Sequence, residues 1–232
     1  MMPKTKGRDL MRKRIKLRDR LLPDYTKGEE IMNMVTHIVG GGFGLLVLTL
    51  CLLRASSARS MIGAAIYGSS MIAIYAMSSI YHGLHPSTGK KVLQVLDHCT
   101  IYLLIAGSYS AIALGALFDH FPILAVTVLA AQWGLAALAI TLTAIDLEKY
   151  NLFSMVCYIG MGWMVALFLP QTMTALTKAG FYWLLAGGIA YTVGAVLYGL
   201  GSRKKWLHSV FHIFVVLGSF LQFIAIYFFA II

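Results

Sequence analysis

Two histidines, His208 and His212, stand four residues apart in an apolar stretch near the end of the sequence. On a helix that spacing puts both imidazoles on one face, about one turn apart. It is the pair geometry of H-x-x-x-H zinc sites. A third histidine, His82, closes another apolar stretch, and Ser78 stands in the same i, i+4 relation to it. Three imidazoles make an open zinc site, with one tetrahedral position left for water or substrate. Asp97, at the start of a further apolar stretch, can then bind the metal, accept a hydrogen bond from its water or orient a ligand histidine. Histidine pairs in helices also serve as packing or interface residues. Near helix ends, Asp97 and His82 also suit headgroup contacts, so the spacing alone leaves both readings open.

Composition dictates the elements that must carry these groups. Residues of the AVILMFWYC set make up 59% of the 232 positions and charged residues 12%, against about 25% charged residues in a soluble domain. Mean hydropathy is +0.78. A soluble enzyme, a disordered chain and a disulfide scaffold are excluded. Long unbroken apolar runs, not short alternating segments, also argue against a β-barrel. A transmembrane helix needs about 20 mostly apolar residues. Such runs are predicted near 32–54, 61–82, 96–117, 121–143, 152–171, 180–201 and 206–231, punctuated by charge or turn signals such as Asp119-His120-Phe121-Pro122 and Thr177-Lys178-Ala179-Gly180. The expectation is an all-α membrane protein: a basic tail over 1–30, then one seven-helix bundle over 31–232.

Net charge is +10, and ten of the 19 Lys and Arg residues fall within the first 27 positions. The basicity therefore belongs to a tail suited to anionic lipid headgroups, not to a nucleic-acid-binding face. With the N-terminus cytoplasmic, sixteen cations lie on that side and three, Arg54, Arg59 and Lys178, on the other. The positive-inside rule then places the N-terminus in the cytoplasm and the C-terminus outside, in a multi-pass protein of the cell (inner) membrane. On this topology the second helix ends, and the third and last begin, at one leaflet. Ser78, His82, Asp97, His208 and His212 therefore share a depth, where ionisable groups are costly and mark function.

Glu30, Asn33, Thr36, His37 and Gly40 recur at three- and four-residue steps, a polar stripe on the first helix that must face the bundle interior. Interhelical hydrogen bonding accounts for most of it. Glu30 and His37 are also placed to touch the metal ligands from behind. His85, His98 and His120 read as surface or interfacial. Cys51, Cys99 and Cys157, odd in number and without a C-x-x-C, read as small packing residues. The glycines of Gly40-Gly41-Gly42-Phe43-Gly44 read as a close-packing or flexible site, not a phosphate loop.

Glu30-x2-Asn33-x2-Thr36-His37-x2-Gly40, Ser78-Ser79-Ile80-Tyr81-His82, the run Leu96 to Tyr109, and His208-Ser209-Val210-Phe211-His212-Ile213-Phe214-Val215 together resemble, in order, the signatures of the haemolysin III family. That family lies near the adiponectin and progestin receptor-like (PAQR) membrane proteins and the wider group that includes alkaline ceramidases. The resemblance implies a seven-helix bundle with Zn2+ toward the cytoplasmic side. Its ligands would be His82, His208 and His212, with Asp97 reaching the metal through a water and Ser78 completing the site. Phe211 departs mildly from the Trp of many relatives.

Two activities are compatible with such a site. In the first, a zinc-dependent hydrolase cleaves a lipid amide or ester, with Asp97 as general base and Ser78 donating to the developing oxyanion. In the second, the zinc is structural and the protein senses or regulates membrane lipid state without catalysis. A pore-forming cytolysin, suggested by the family name, ranks below both. The implied partner is a membrane lipid, as substrate or ligand.

Overall fold

The computed structural model describes residues 17–201 and 204–231. All regular structure among them is helical. The main elements are α1 (Lys27–Arg54), α2 (Ala58–Gly83), α3 (Thr88–Ile112), α4 (Pro122–Ile145), α5 (Asn151–Gly162), α6 (Leu169–Gly201) and α7 (Leu207–Phe229). A π-type stretch, Ala113–Leu117, and a short turn, Phe118–His120, prolong α3.

Local chemistry sets the boundaries. The Thr26 hydroxyl accepts from the Glu29 N–H while the Glu29 side chain returns to the Thr26 backbone, a capping box that satisfies two donors the helix leaves unpaired. Ser57 with Ser60 does the same for α2, and Ser87 caps α3. Pro122 opens α4, where its missing N–H costs nothing.

Among the described residues, six helical runs are long and apolar enough to cross a membrane. Five match sequence-predicted runs to within a few residues, except that α3 begins at Thr88. The predicted fifth and sixth helices lie in one run of 51 residues, Asn151–Gly201. The run passes through a 3-10 stretch, Trp163–Phe168, and is interrupted at Thr177, where φ is 61° and ψ 167°. The turn signal read at 177–180 thus falls on a real break, but one residue absorbs it and no loop forms.

Helices α1, α2 and α3 pack in sequence, α6 packs on α7, and α1 meets α7, so the first and last helices are neighbours. The largest core cluster includes Val47, Tyr67, Met71, Tyr75, Leu176 and Ile226. The far end of α7 is closed by backbone: the Ala116 N–H donates to the Ala230 carbonyl at 2.8 Å. Gly115 makes this possible, because a Cβ there would lie 2.0 Å from the Ala230 oxygen. Cys51 and Cys99 are buried and Cys157 half-buried, all as free thiols.

Candidate metal centre

His82 sits one residue before the end of α2, and His208 and His212 occupy the first turns of α7. The three imidazoles meet, each offering a ligand atom within 4.8 Å of the others, and all three residues are buried. The Nε2 atoms of His208 and His212 are 3.0 Å apart. His82 Nε2 is buried with no hydrogen-bond partner. Its other nitrogen, Nδ1, donates to Glu30 Oε2 at 2.6 Å. A carboxylate that holds one imidazole nitrogen and leaves the other free is the usual way a protein aims a histidine at a metal. The trio can therefore hold a metal ion.

Glu30 is shared. Its Oε1 accepts from Lys90 Nζ at 2.6 Å, and that ammonium also donates to the Leu84 carbonyl at 2.8 Å. Lys90 lies 5.2 Å from the Tyr81 ring centroid and is only 3% exposed. Pairing and hydrogen bonding are what make a buried charge tolerable. Lys90, one of the sixteen cations assigned to the cytoplasmic side, is part of the network behind His82.

The α1 stripe packs on the same centre. The His37 ring stacks on His212 with centroids 3.9 Å apart and meets Tyr75 edge-on. Asn33 Nδ2 lies 3.4 Å from His82 Nδ1. Gly40 lets Tyr75 approach, since a Cβ there would come within 2.6 Å of the ring. Thr36 is the exception: its hydroxyl turns back to the carbonyls of Met32 and Asn33.

Asp97 and Ser78 do not join the trio. They line a cavity of about 150 Å³ that His37, His208 and His212 also border, and the Ser78 hydroxyl is turned toward the Asp97 carboxylate. The cavity is otherwise mostly apolar and follows α3 from Asp97 to Tyr109, about 18 Å at 1.5 Å per residue.

Sequence reasoning missed several residues here. His98 does not face the surface. It borders the cavity, with Nδ1 donating to the Gln94 carbonyl at 2.8 Å, which leaves Nε2 to accept from the Tyr198 hydroxyl at 3.1 Å. Tyr25, just before α1, stacks on His208 with centroids 4.8 Å apart. Burial raises its phenol above the ordinary value, so it stays neutral. Arg20 is buried, donating to the Lys91 carbonyl at 2.9 Å and Gln94 Oε1 at 2.8 Å. This part of the segment read as a lipid-facing tail turns inward, while residues 1–16 lie outside the described residues. Apart from the bond between His98 and Gln94, one turn apart on α3, these contacts join residues far apart in sequence, and no local pattern marks them. His85 and His120 are exposed, as expected.

Residues 25–223 match the family described as haemolysin-III related. The chain is 35% identical to Hemolysin-3 of Bacillus cereus over 87% of its own length and 91% of the relative's. It is 31% identical to the Hemolysin-3 homolog of Bacillus subtilis over 89% and 97%. Identity to the monocyte to macrophage differentiation factor of Homo sapiens is 27% over 70% and 68%.

Proposed function

The chain belongs to the haemolysin-III-related family, and from that premise we propose that it is a zinc-dependent hydrolase of the cell membrane acting on a lipid amide or ester. The observation that carries the reading is the junction of a buried histidine trio with an elongated apolar cavity whose polar members include Asp97 and Ser78. The donor set suits zinc: three imidazoles, one of them backed by a carboxylate and its inner nitrogen left unpaired. His82, His208 and His212 would hold the ion. Zinc, when bound, supplies a Lewis acid for a carbonyl and lowers the pKa of water toward ~7.

The chain's own groups divide the remaining work. The apolar wall binds a hydrocarbon chain along α3 and excludes water from it. Asp97 is the carboxylate that accepts a proton from the attacking water, since the trio's other carboxylate neighbour, Glu30, is occupied by His82 and Lys90. Ser78 donates a hydrogen bond to the oxygen on which negative charge develops. Glu30 keeps the His82 proton on Nδ1, which fixes the tautomer and the ring.

In the membrane, the run Asn151–Gly201 would cross twice, turning at Thr177. Seven crossings, with the N-terminus cytoplasmic as the Lys/Arg bias favours, would set the histidines near the inner leaflet, where the apolar cavity suits a lipid entering from the side.

The test is metal analysis of the purified full chain, followed by incubation with a panel of lipid amides and esters. About one zinc per chain is expected, with turnover lost on chelation. Asp97→Asn should keep the metal and the thermal midpoint and abolish turnover. A metal-replete protein inert to the whole panel, in which Asp97→Asn changes nothing, would leave zinc as a structural tie between α2 and α7.

A further inference from the structure

Building on the metal reading above, we infer that Glu29 is the positioning residue that sets His208 and His212 against His82. Glu29 directly precedes Glu30 in the first turn of α1 and is 4% exposed. Its two carboxylate oxygens serve different helices. Oε2 accepts from the Thr26 backbone N–H at 2.9 Å and from the Thr26 hydroxyl at 2.7 Å, which starts α1. Oε1 accepts from the Trp206 N–H at 2.6 Å, at the start of the neighbouring α7.

Trp206 is where α7 needs holding. It is the residue before the helix, it has φ 68° and ψ −12°, and its own side chain makes no capping hydrogen bond to α7. A non-glycine residue with positive φ persists only where its surroundings over-determine it. Two contacts do so, and both come from the first turn of α1. One is the Glu29 carboxylate. The other is the indole, which lies over Gly28, where a Cβ would stand 3.2 Å from the ring. His208 follows Trp206 by two residues and His212 by one further turn, so the direction in which α7 leaves Trp206 decides where both imidazoles point.

Consecutive glutamates therefore hold the two arms of the trio from one helical turn: Glu30 through the His82 ring, Glu29 through the backbone that launches His208 and His212. The arrangement predicts that Glu29 governs metal geometry in addition to helix capping, and capping alone can be removed separately at Thr26.

The experiment uses the purified full chain in detergent, loaded with cobalt(II) or zinc. The readouts are chelator-competition affinity, the cobalt ligand-field spectrum and the thermal midpoint of the metal-free protein. Glu29→Ala should weaken metal binding ~10–100-fold, the range found for groups that orient ligands, and should shift the cobalt bands. Thr26→Ala should lower the midpoint with affinity and bands unchanged. Glu29→Gln, which keeps an oxygen for the Trp206 N–H, should stay within a few-fold of wild type. Glu29→Asp keeps the charge in the first turn but is one methylene too short to span both helices. It should weaken binding with little thermal cost, and it serves if Glu29→Ala does not fold. Wild-type affinity and spectrum in both Glu29→Ala and Glu29→Asp, or equal losses in Thr26→Ala, would overturn the inference while leaving the metal reading intact. A wild-type chain that takes up neither metal overturns both.

Discussion

The two ends of α7 are held by opposite means. At its start, side chains do the holding: Glu29 takes the Trp206 N–H, and Glu30, Lys90 and His82 form a network beside the α7 histidines. At its finish, backbone meets backbone, with the Ala116 N–H on the Ala230 carbonyl and room for it left by Gly115. Contacts between polar side chains can be tuned without altering the path of the chain. A backbone contact in a glycine gap has no slack, because any side chain there displaces a main-chain atom. The histidine end should therefore be the adjustable one and the far end the one that keeps the bundle closed.

Substitutions at the two ends should separate metal binding from stability. The largest effect belongs to His82→Ala, which removes one of only three imidazoles. Metal affinity should fall by more than the ~100-fold limit expected for an outer partner, measured by metal content and chelator competition, while His85→Ala retains full metal. Next comes Gly115→Ala, whose new methyl would stand 2.0 Å from the Ala230 oxygen. Overpacking of this kind costs about 2–3 kcal/mol, visible as a lower thermal midpoint, with wild-type metal stoichiometry in the folded protein. Glu30→Gln should weaken metal binding ~10–100-fold and, by leaving the buried Lys90 ammonium without its charge partner, should lower the midpoint as well. Wild-type metal affinity in Glu30→Gln, or metal lost from folded Gly115→Ala, would erase the contrast between the ends. The smallest effect is expected of Tyr75→Phe. The hydroxyl donates to Ser219 Oγ at 2.7 Å in the middle of the bundle, and its loss should cost about 1 kcal/mol with no change in metal affinity.

How much of this was readable in the sequence follows the same division. The His208–His212 spacing and the position of His82 at a helix end pointed to the trio because side-chain type and helical period carry that information. Glu30 and His37 were legible as an inward stripe for the same reason. Lys90 was not, because its burial depends on Glu30, which lies on another helix. His98 is missed through its neighbour: a residue turned about 100° from Asp97 is expected at the surface. But α3 is enclosed on more than one side, and Tyr198 of α6 and Tyr158 of α5 reach it there, the Tyr158 hydroxyl donating to the His98 carbonyl at 2.8 Å. Thr177 gave a turn signal of the right kind in the right place. A single residue with positive φ nevertheless makes a break that sequence cannot tell from a loop. The Gly115 contact was illegible altogether, since a glycine in an apolar run carries no sign of which backbone it admits.

The pairing of α1 with α7 also has a consequence in time. Translation delivers the helices in order, so Glu29, Glu30 and His82 are made long before His208. At ~5–20 residues per second, the ribosome spends on the order of ten seconds building the chain between the two halves of the trio. Throughout that interval Glu29 has no Trp206 N–H to accept and His82 no second imidazole to face. The histidine trio comes into being only when α7 arrives, so any metal it takes up would mark a finished chain.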